Sequence, residues 1–279
     1  MTDRVSWPSG PRVSVAPPGP LSREWSRRAK RVHAPMGPPS PPDSATLVYE
    51  SAQGSYVRDV DGNQYLDLAA GFGSMLLGHG HPRVLRALTE QAGTLLQALG
   101  DVYPSREKIE LSERLSTLIP GQPSQVVMGQ SGADAVTGAL KTATLFTGRP
   151  GWIAMGGSYH GLGYASLAVT SLRSGYRAPF ESQLNSHVDF CHYPHSEEEL
   201  PDTLAELERL LKLGLYGAVI LEPILGRGGC SVPPPGALQR IAELTRKHGA
   251  LLIADEIWTG LGRTGSWLRC DAVGVTPDL

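Results

Sequence analysis

The first place in this sequence where chemistry could be done is a carboxylate at the end of an apolar run. Ala250-Leu251-Leu252-Ile253-Ala254 leads into Asp255-Glu256-Ile257-Trp258-Thr259-Gly260-Leu261-Gly262-Arg263-Thr264-Gly265. The run is bounded by Gly249 and a glycine-rich loop, and it predicts a strand buried on both faces, as in a parallel sheet. Open α/β sheets bind ligands at the C-terminal ends of their strands, and Asp255 stands there. An ionised carboxylate in that position needs a cation. Arg263 could supply one as a structural salt bridge, or a protonated heterocyclic nitrogen on a cofactor could.

Two other stretches bear on that choice. Ser131-Gly132-Ala133 lies between a short apolar run, Val126 to Met128, and a helical pattern. The free N–H groups at such a helix start suit an anion, although a plain strand-to-helix turn has the same sequence. Gly157-Ser158-Tyr159-His160-Gly161 follows a predicted strand and sets an aromatic ring among glycines. Stacking on a planar ligand would add about 0.5–1.5 kcal/mol beyond area burial, but a surface tyrosine reads the same way. His79 and His81 are close enough to suggest a metal, yet no further ligand cluster accompanies them. No G-x-G-x-x-G follows the first strand and no Walker A sequence occurs, which weighs against a dinucleotide or nucleotide site.

The elements that must position these residues alternate. Predicted strands at Val126–Met128, Trp152–Met155, Val188–Phe190, Ala218–Leu221 and Ala250–Ala254 are separated by helical patterns. One helix runs to Thr147 and stops at Gly148 and Pro150. Another is opened by Ser196 to Glu199 and carries Leu204, Leu207 and Leu211; a third, opened by Pro235, carries Leu238, Ile241 and Leu244. This order predicts an α/β fold with a mostly parallel, doubly wound sheet. Upstream, Tyr56–Val60 and Gln64–Leu68 flank Asp61-Gly62-Asn63, a hairpin signal. Helices are predicted from about Arg83, with Val84, Leu85, Leu88, Ala92, Leu95 and Leu96 on one face, and from Ser105 to Leu118.

Composition sets the outer limits. With 279 residues and 41% hydrophobic content the chain can bury a real core, and a formal net charge of −2 gives no field for nucleic acid or an acidic membrane. Three widely spaced cysteines, Cys191, Cys230 and Cys270, suit reduced thiols in the cytoplasm and match no metal spacing. No apolar run approaches transmembrane length, and no signal segment opens the chain. Residues 1–45 are proline-rich with a basic patch from Arg23 to Arg31, and their sparse apolar content predicts a mostly disordered leader with at most one short helix.

Taken together, the SGxxA turn, the Gly-x-Tyr-His-Gly loop, Leu221-Glu222-Pro223 and the Asp255 motif strongly resemble the class III pyridoxal-phosphate aminotransferases. Tyr65-Leu66-Asp67 and Gly78-His79-Gly80-His81-Pro82 fit the N-terminal segment of that family, so the likeness spans about Tyr49 to Leu279. It implies the PLP-dependent transferase fold type I, with helices on both faces of a large-domain sheet. The domains expected are a leader (1–45), a small-domain segment with the first helix (46–100), and a PLP-binding large domain (101–279). It also implies a homodimer that moves an amino group between an amine or amino acid and a 2-oxo acid, in a chain whose composition reads as soluble and cytoplasmic.

Roles follow residue by residue from the resemblance. Ser131, Gly132 and Ala133 would cradle the cofactor phosphate, and Tyr159 would stack on the pyridine ring with His160 supporting the loop. Asp255 would pair with the pyridinium nitrogen, Ile257 would pack under the opposite ring face, and Glu222 would lie close by. Phe72 and Gly73 would line the substrate pocket; no metal is expected. Trp258 stands where many members carry glutamine near the ring oxygen, and Leu225 replaces a frequent glutamine after Glu-Pro. The family's Schiff-base lysine is expected beyond Leu279, as is the C-terminal small domain. None of Lys30, Lys108, Lys141, Lys212 and Lys247 suits that role, so the chain as written reads as a catalytically incomplete fragment. A non-catalytic partner subunit, or another reaction of the family such as an aminomutase or decarboxylase, is the alternative.

Overall fold

The computed structural model describes residues 7, 9–34, 41, 44–100, 102–119 and 124–279. The chain divides into two compact units, Met1–Leu99 and Gly100–Leu279.

In the first unit, helix α1 (Pro20–Val32) precedes a three-stranded antiparallel sheet of β1 (Tyr49–Gln53), β2 (Tyr56–Asp59) and β3 (Gln64–Leu66), and α2 (Pro82–Ala92) follows. The predicted hairpin is β2–β3, and Asp59 holds its turn. Fully buried, Asp59 accepts hydrogen bonds from the Asp61 and Asn63 amides at 3.0 and 2.8 Å, from Asn63 Nδ2 at 3.0 Å and from the Tyr65 hydroxyl at 2.7 Å. Burial, aided by the Asp59 carboxylate, pushes the Tyr65 phenol up to about 12.

Of the leader, residues 1–6, 8, 35–40, 42 and 43 lie outside the described residues; over 9–34 that turn ties down backbone where the composition predicts mostly disorder. Asn63 Oδ1 accepts from the Ser14 and Val15 amides at 2.9 Å each, and the Asp61 carboxylate accepts from the first-turn amides of α1, Leu21 and Ser22, at 2.8 and 2.9 Å. Order over residues 9–34 therefore comes from polar side chains that cap and anchor backbone, which apolar composition does not register. The apolar face expected of α2 is not buried: Val84, Leu85 and Leu88 are all exposed, and Leu95 and Leu96 lie past the end of the helix at Ala92.

The second unit opens with α3 (Arg106–Ser116), capped by Ser105, and then α4 (Gly132–Thr147), which runs from the Ser131 cap to Gly148 at φ 68°. There follow β4 (Gly151–Met155), α5 (Tyr164–Ala168), α6 (Ser174–Arg177), β5 (Val188–Cys191), α7 (Leu200–Leu211), β6 (Tyr216–Leu221), α8 (Ala237–Lys247), β7 (Leu251–Ala254) and α9 (Arg269–Ala272). The four strands form one parallel sheet in the order β5-β4-β6-β7. Every residue of β6 is buried.

Strand alternation decides which helices cover which face. Ile153, Met155, Val219, Leu221 and Leu252 point to one side and pack with Leu207 and Leu211 of α7 and Leu238 and Ile241 of α8. Trp152, Ala154, Ala218, Ile220 and Ile253 point to the other and pack with Val136, Leu140 and Ala143 of α4 and Ala168 of α5. Each fully buried leucine or isoleucine contributes about 1.5–3 kcal/mol of transfer free energy. The sheet is thus the doubly wound α/β arrangement predicted, with one correction. Val126–Met128 forms no strand: no neighbour among the described residues pairs with it, and Val127 is exposed.

Candidate active site

All the groups at this site are carried by the second unit, at the C-terminal ends of β4, β6 and β7. The Asp255 amide donates to Leu221 O at 2.8 Å, extending the β6–β7 ladder one step past its last pair. The Asp255 side chain is 4% exposed, and its Oδ2 lies 2.7 Å from Nδ1 of His160, whose ring is fully buried. A carboxylate only accepts, so Nδ1 carries the shared proton. Asp255 Oδ1 accepts from the Ile257 amide at 3.1 Å. His160 is held from behind, its amide donating to Thr170 Oγ1 at 2.9 Å. Its Nε2 is buried with no hydrogen-bond partner among the described residues.

Glu222 follows the last residue of β6 and is 5% exposed. Its Oε1 accepts from the Tyr159 amide at 2.8 Å and its Oε2 from the Gly226 amide at 2.9 Å. One carboxylate therefore ties the loop after β4 to the turn after β6. Burial raises its pKa, and the two amides offset only part of that shift. Trp258 packs against the same turn: a Cβ built on Gly226 would meet its ring at 3.0 Å.

Glycine contacts bring the three predicted motifs together. A Cβ on Gly132 would lie 2.9 Å from Ile257 Cδ1, and a Cβ on Gly161 would lie 2.6 Å from the Ala133 Cβ. The start of α4 is therefore in contact with Ile257, two residues after Asp255, and with the loop of Tyr159 and His160. Ser131 Oγ caps the Asp134 amide at 3.2 Å, leaving the first-turn amides of Gly132 and Ala133 without intrahelical acceptors. The Tyr159 ring is partly exposed; Arg227 Cζ sits 4.2 Å from its centroid and Tyr176 meets it edge-on at 6.1 Å.

Of the predicted site residues, Ser131, Gly132, Ala133, Tyr159, His160, Glu222, Asp255, Ile257 and Trp258 share this region. Phe72 and Gly73 belong to the first unit, in the turn after β3, where Phe72 has φ 55° and is 93% exposed. Among the described residues no group of three or more His, Cys, Asp or Glu side chains could hold a metal, and His79 is paired with Asp67 at 2.7 Å. Sequence reasoning missed Thr170, which has no local signature. It also missed Arg227, whose only signal was a cation inside a glycine-rich turn.

The aminotransferase class-III family model matches residues 39–279. The chain belongs to that family. It is 36% identical over 241 residues to the 5-aminovalerate aminotransferase DavT of Pseudomonas aeruginosa, covering 84% of this chain and 56% of that protein. It is 31% identical over 290 residues to the alanine/serine racemase of Pyrococcus horikoshii, covering 96% and 60%. Among solved structures, a PLP-bound amine transaminase from an uncultivated Pseudomonas species superposes with a TM-score of 0.80 at 29% identity, over 89% of this chain and 60% of that one. The chain thus spans little more than half the length of these relatives. The class-III family uses pyridoxal phosphate, and its fold type I sheet is the one described above.

Proposed function

We propose that this chain forms the cofactor-binding part of a pyridoxal-phosphate-dependent aminotransferase that exchanges an amino group between an amine or amino acid and a 2-oxo acid. The observation that carries the reading is the buried Asp255–His160 pair in one cluster with the start of α4 and the Tyr159 loop. The residues fit the group. Gly132 and Ala133 offer free amides, reinforced by the helix dipole, to a phosphate. Tyr159 and Ile257 offer apolar surface to the faces of a flat ring. Asp255 offers a carboxylate to a protonated ring nitrogen, and the glycines at 132 and 161 keep the cradle free of side chains.

When bound, pyridoxal phosphate supplies an electron sink for charge developing on the substrate carbon. The protein's part is to keep that sink charged. Asp255 holds the proton on the ring nitrogen, and the His160 Nδ1–H fixes the carboxylate so that it does not reorganise. Glu222 holds the Tyr159 backbone, which sets the ring that excludes water from one face. Phe72 and Gly73 are proposed to line the substrate pocket. The family reading extends to a homodimer, and the free thiols of Cys191, Cys230 and Cys270 suit a reducing cytoplasm.

Titration with pyridoxal phosphate, followed by absorbance and intrinsic fluorescence, tests the reading. Asp255→Ala should weaken binding about 10- to 100-fold, the range for a charge-assisted contact. Tyr159→Ala should weaken it several-fold through lost stacking. Equal affinity in the wild type and both variants would refute the site.

A further inference from the structure

Arg227 is not explained by anything above. It sits on the turn after β6, exposed to solvent, and its guanidinium lies over the Tyr159 ring. It has no carboxylate partner among the described residues, unlike the cations of the α7–α8 surface, where Lys212 and Lys247 both pair with Glu208. A cation–π contact uses the face of the guanidinium and leaves its in-plane N–H donors free.

The placement is built rather than incidental. Leu225 and Ser231 exchange both backbone hydrogen bonds, at 3.0 and 3.1 Å, and close the turn into a small loop. Glu222 holds Gly226, the residue before Arg227, to the Tyr159 amide. Gly228, the residue after it, lies so close to the first loop that a Cβ there would be 2.8 Å from the Gly157 carbonyl oxygen. Both neighbours of Arg227 are thus pinned to the loop that carries Tyr159. The backbone beneath the side chain is held in place, and the cation–π contact sets the guanidinium on the ring.

We infer that Arg227 is a specificity-determining residue whose guanidinium receives a carboxylate of the substrate, so that the site favours amino and oxo acids over plain amines. This rests on the reading of Tyr159 as the ring that stacks on the cofactor. A cation fixed to that ring stands at the edge of the place where the substrate is held, and the fork geometry of Arg suits a planar carboxylate. A plain amine offers no group to satisfy those donors.

The test is calorimetric titration of the PLP-loaded gene product with glutarate, a dicarboxylate with neither amine nor ketone, alongside Arg227→Met and Arg227→Lys. Arg227→Met should weaken glutarate binding by about tenfold or more, and Arg227→Lys by less, because a point charge keeps part of the attraction. The affinity for pyridoxal phosphate itself should stay within about threefold in both variants, as expected for loss of one exposed cation–π contact. Unchanged glutarate affinity in Arg227→Met, with the cofactor still bound, would overturn the assignment and leave the cofactor site standing. Failure of the wild type to bind pyridoxal phosphate would remove the cofactor site and this inference with it.

Discussion

The His160 imidazole and the Asp255 carboxylate meet at 2.7 Å, Nδ1 to Oδ2, with both side chains sealed from solvent. They come from loops after different strands, β4 and β7, so the contact locks two strand ends that are not neighbours in the sheet. Removing the imidazole leaves a buried carboxylate with only the Ile257 amide among the described residues. His160→Leu should therefore destabilise the protein by about 3 kcal/mol, as for other buried pairs broken on one side. Urea unfolding measures this directly. Saturating pyridoxal phosphate should return part of the loss, because a protonated ring nitrogen would give the orphaned Asp255 carboxylate a cationic partner, which stabilises the variant more than the already paired wild type. Identical loss with and without the cofactor would count against Asp255 as the ring-nitrogen partner.

Glu222 carries a pH signature. Its folded pKa is raised above the ordinary 4.5, chiefly by burial, with Asp255 adding repulsion. Below 4.5 the carboxyl is protonated in both folded and unfolded chains and contributes no pH dependence. As pH rises from there through the raised value, the unfolded chain gives up its proton first, so this group lowers stability with rising pH. The difference in unfolding free energy between wild type and Glu222→Gln should change across that window and level off above it. A difference that stays flat with pH would mean the carboxyl is not titrating there.

In the first unit, Asn63→Ala should free the chain before α1. The fully buried Asn63 amide accepts from Ser14 and Val15 and donates to Val15 O at 3.0 Å, and alanine replaces none of these bonds. A loss of about 2–3 kcal/mol is expected from the buried donors and acceptors left unpaired. Limited trypsin digestion should then cut faster after Arg12, which lies in that segment. An unchanged cleavage rate would show that this segment is held by something else.

What was legible in the sequence follows from which forces it encodes locally. The buried strands β4, β6 and β7 were readable because both faces are apolar, and Asp255 because a charge ending such a run is conspicuous. Val126–Met128 looked the same over three residues, but a strand exists only where a neighbour offers ladder groups. The order before Asn63 was invisible because it depends on hydrogen bonds between residues 49 and 40 positions apart in the chain. The Asp255–His160 bond, spanning 95 positions, escaped for the same reason. Both residues were picked out by motif, yet nothing in either motif says that one would touch the other.

The glycines of the cradle give the sharpest separation between packing and cofactor binding. Gly161 has φ 116°, a conformation that L side chains rarely adopt, and a Cβ there would come within 2.6 Å of the Ala133 Cβ and 3.0 Å of its Cα. Neither atom can rotate away, since both belong to the rigid first turn of α4. Gly161→Ala should therefore displace the loop or the helix start, with a loss of more than about 2 kcal/mol from strain and overpacking together. Gly132 presents a different obstacle. Its Cβ would meet Ile257 Cδ1 at 2.9 Å, the far end of a flexible side chain that is 61% exposed and can turn into solvent. Gly132→Ala should accordingly change stability by less than about 1 kcal/mol, helped by the better helix propensity of alanine. In the proposed site, however, Ile257 packs on one face of the cofactor ring, so moving its tip should still weaken pyridoxal phosphate binding several-fold. Thermal melts and cofactor titrations on the two variants check both halves. If Gly132→Ala binds the cofactor as tightly as the wild type, Ile257 does not form the floor of the site.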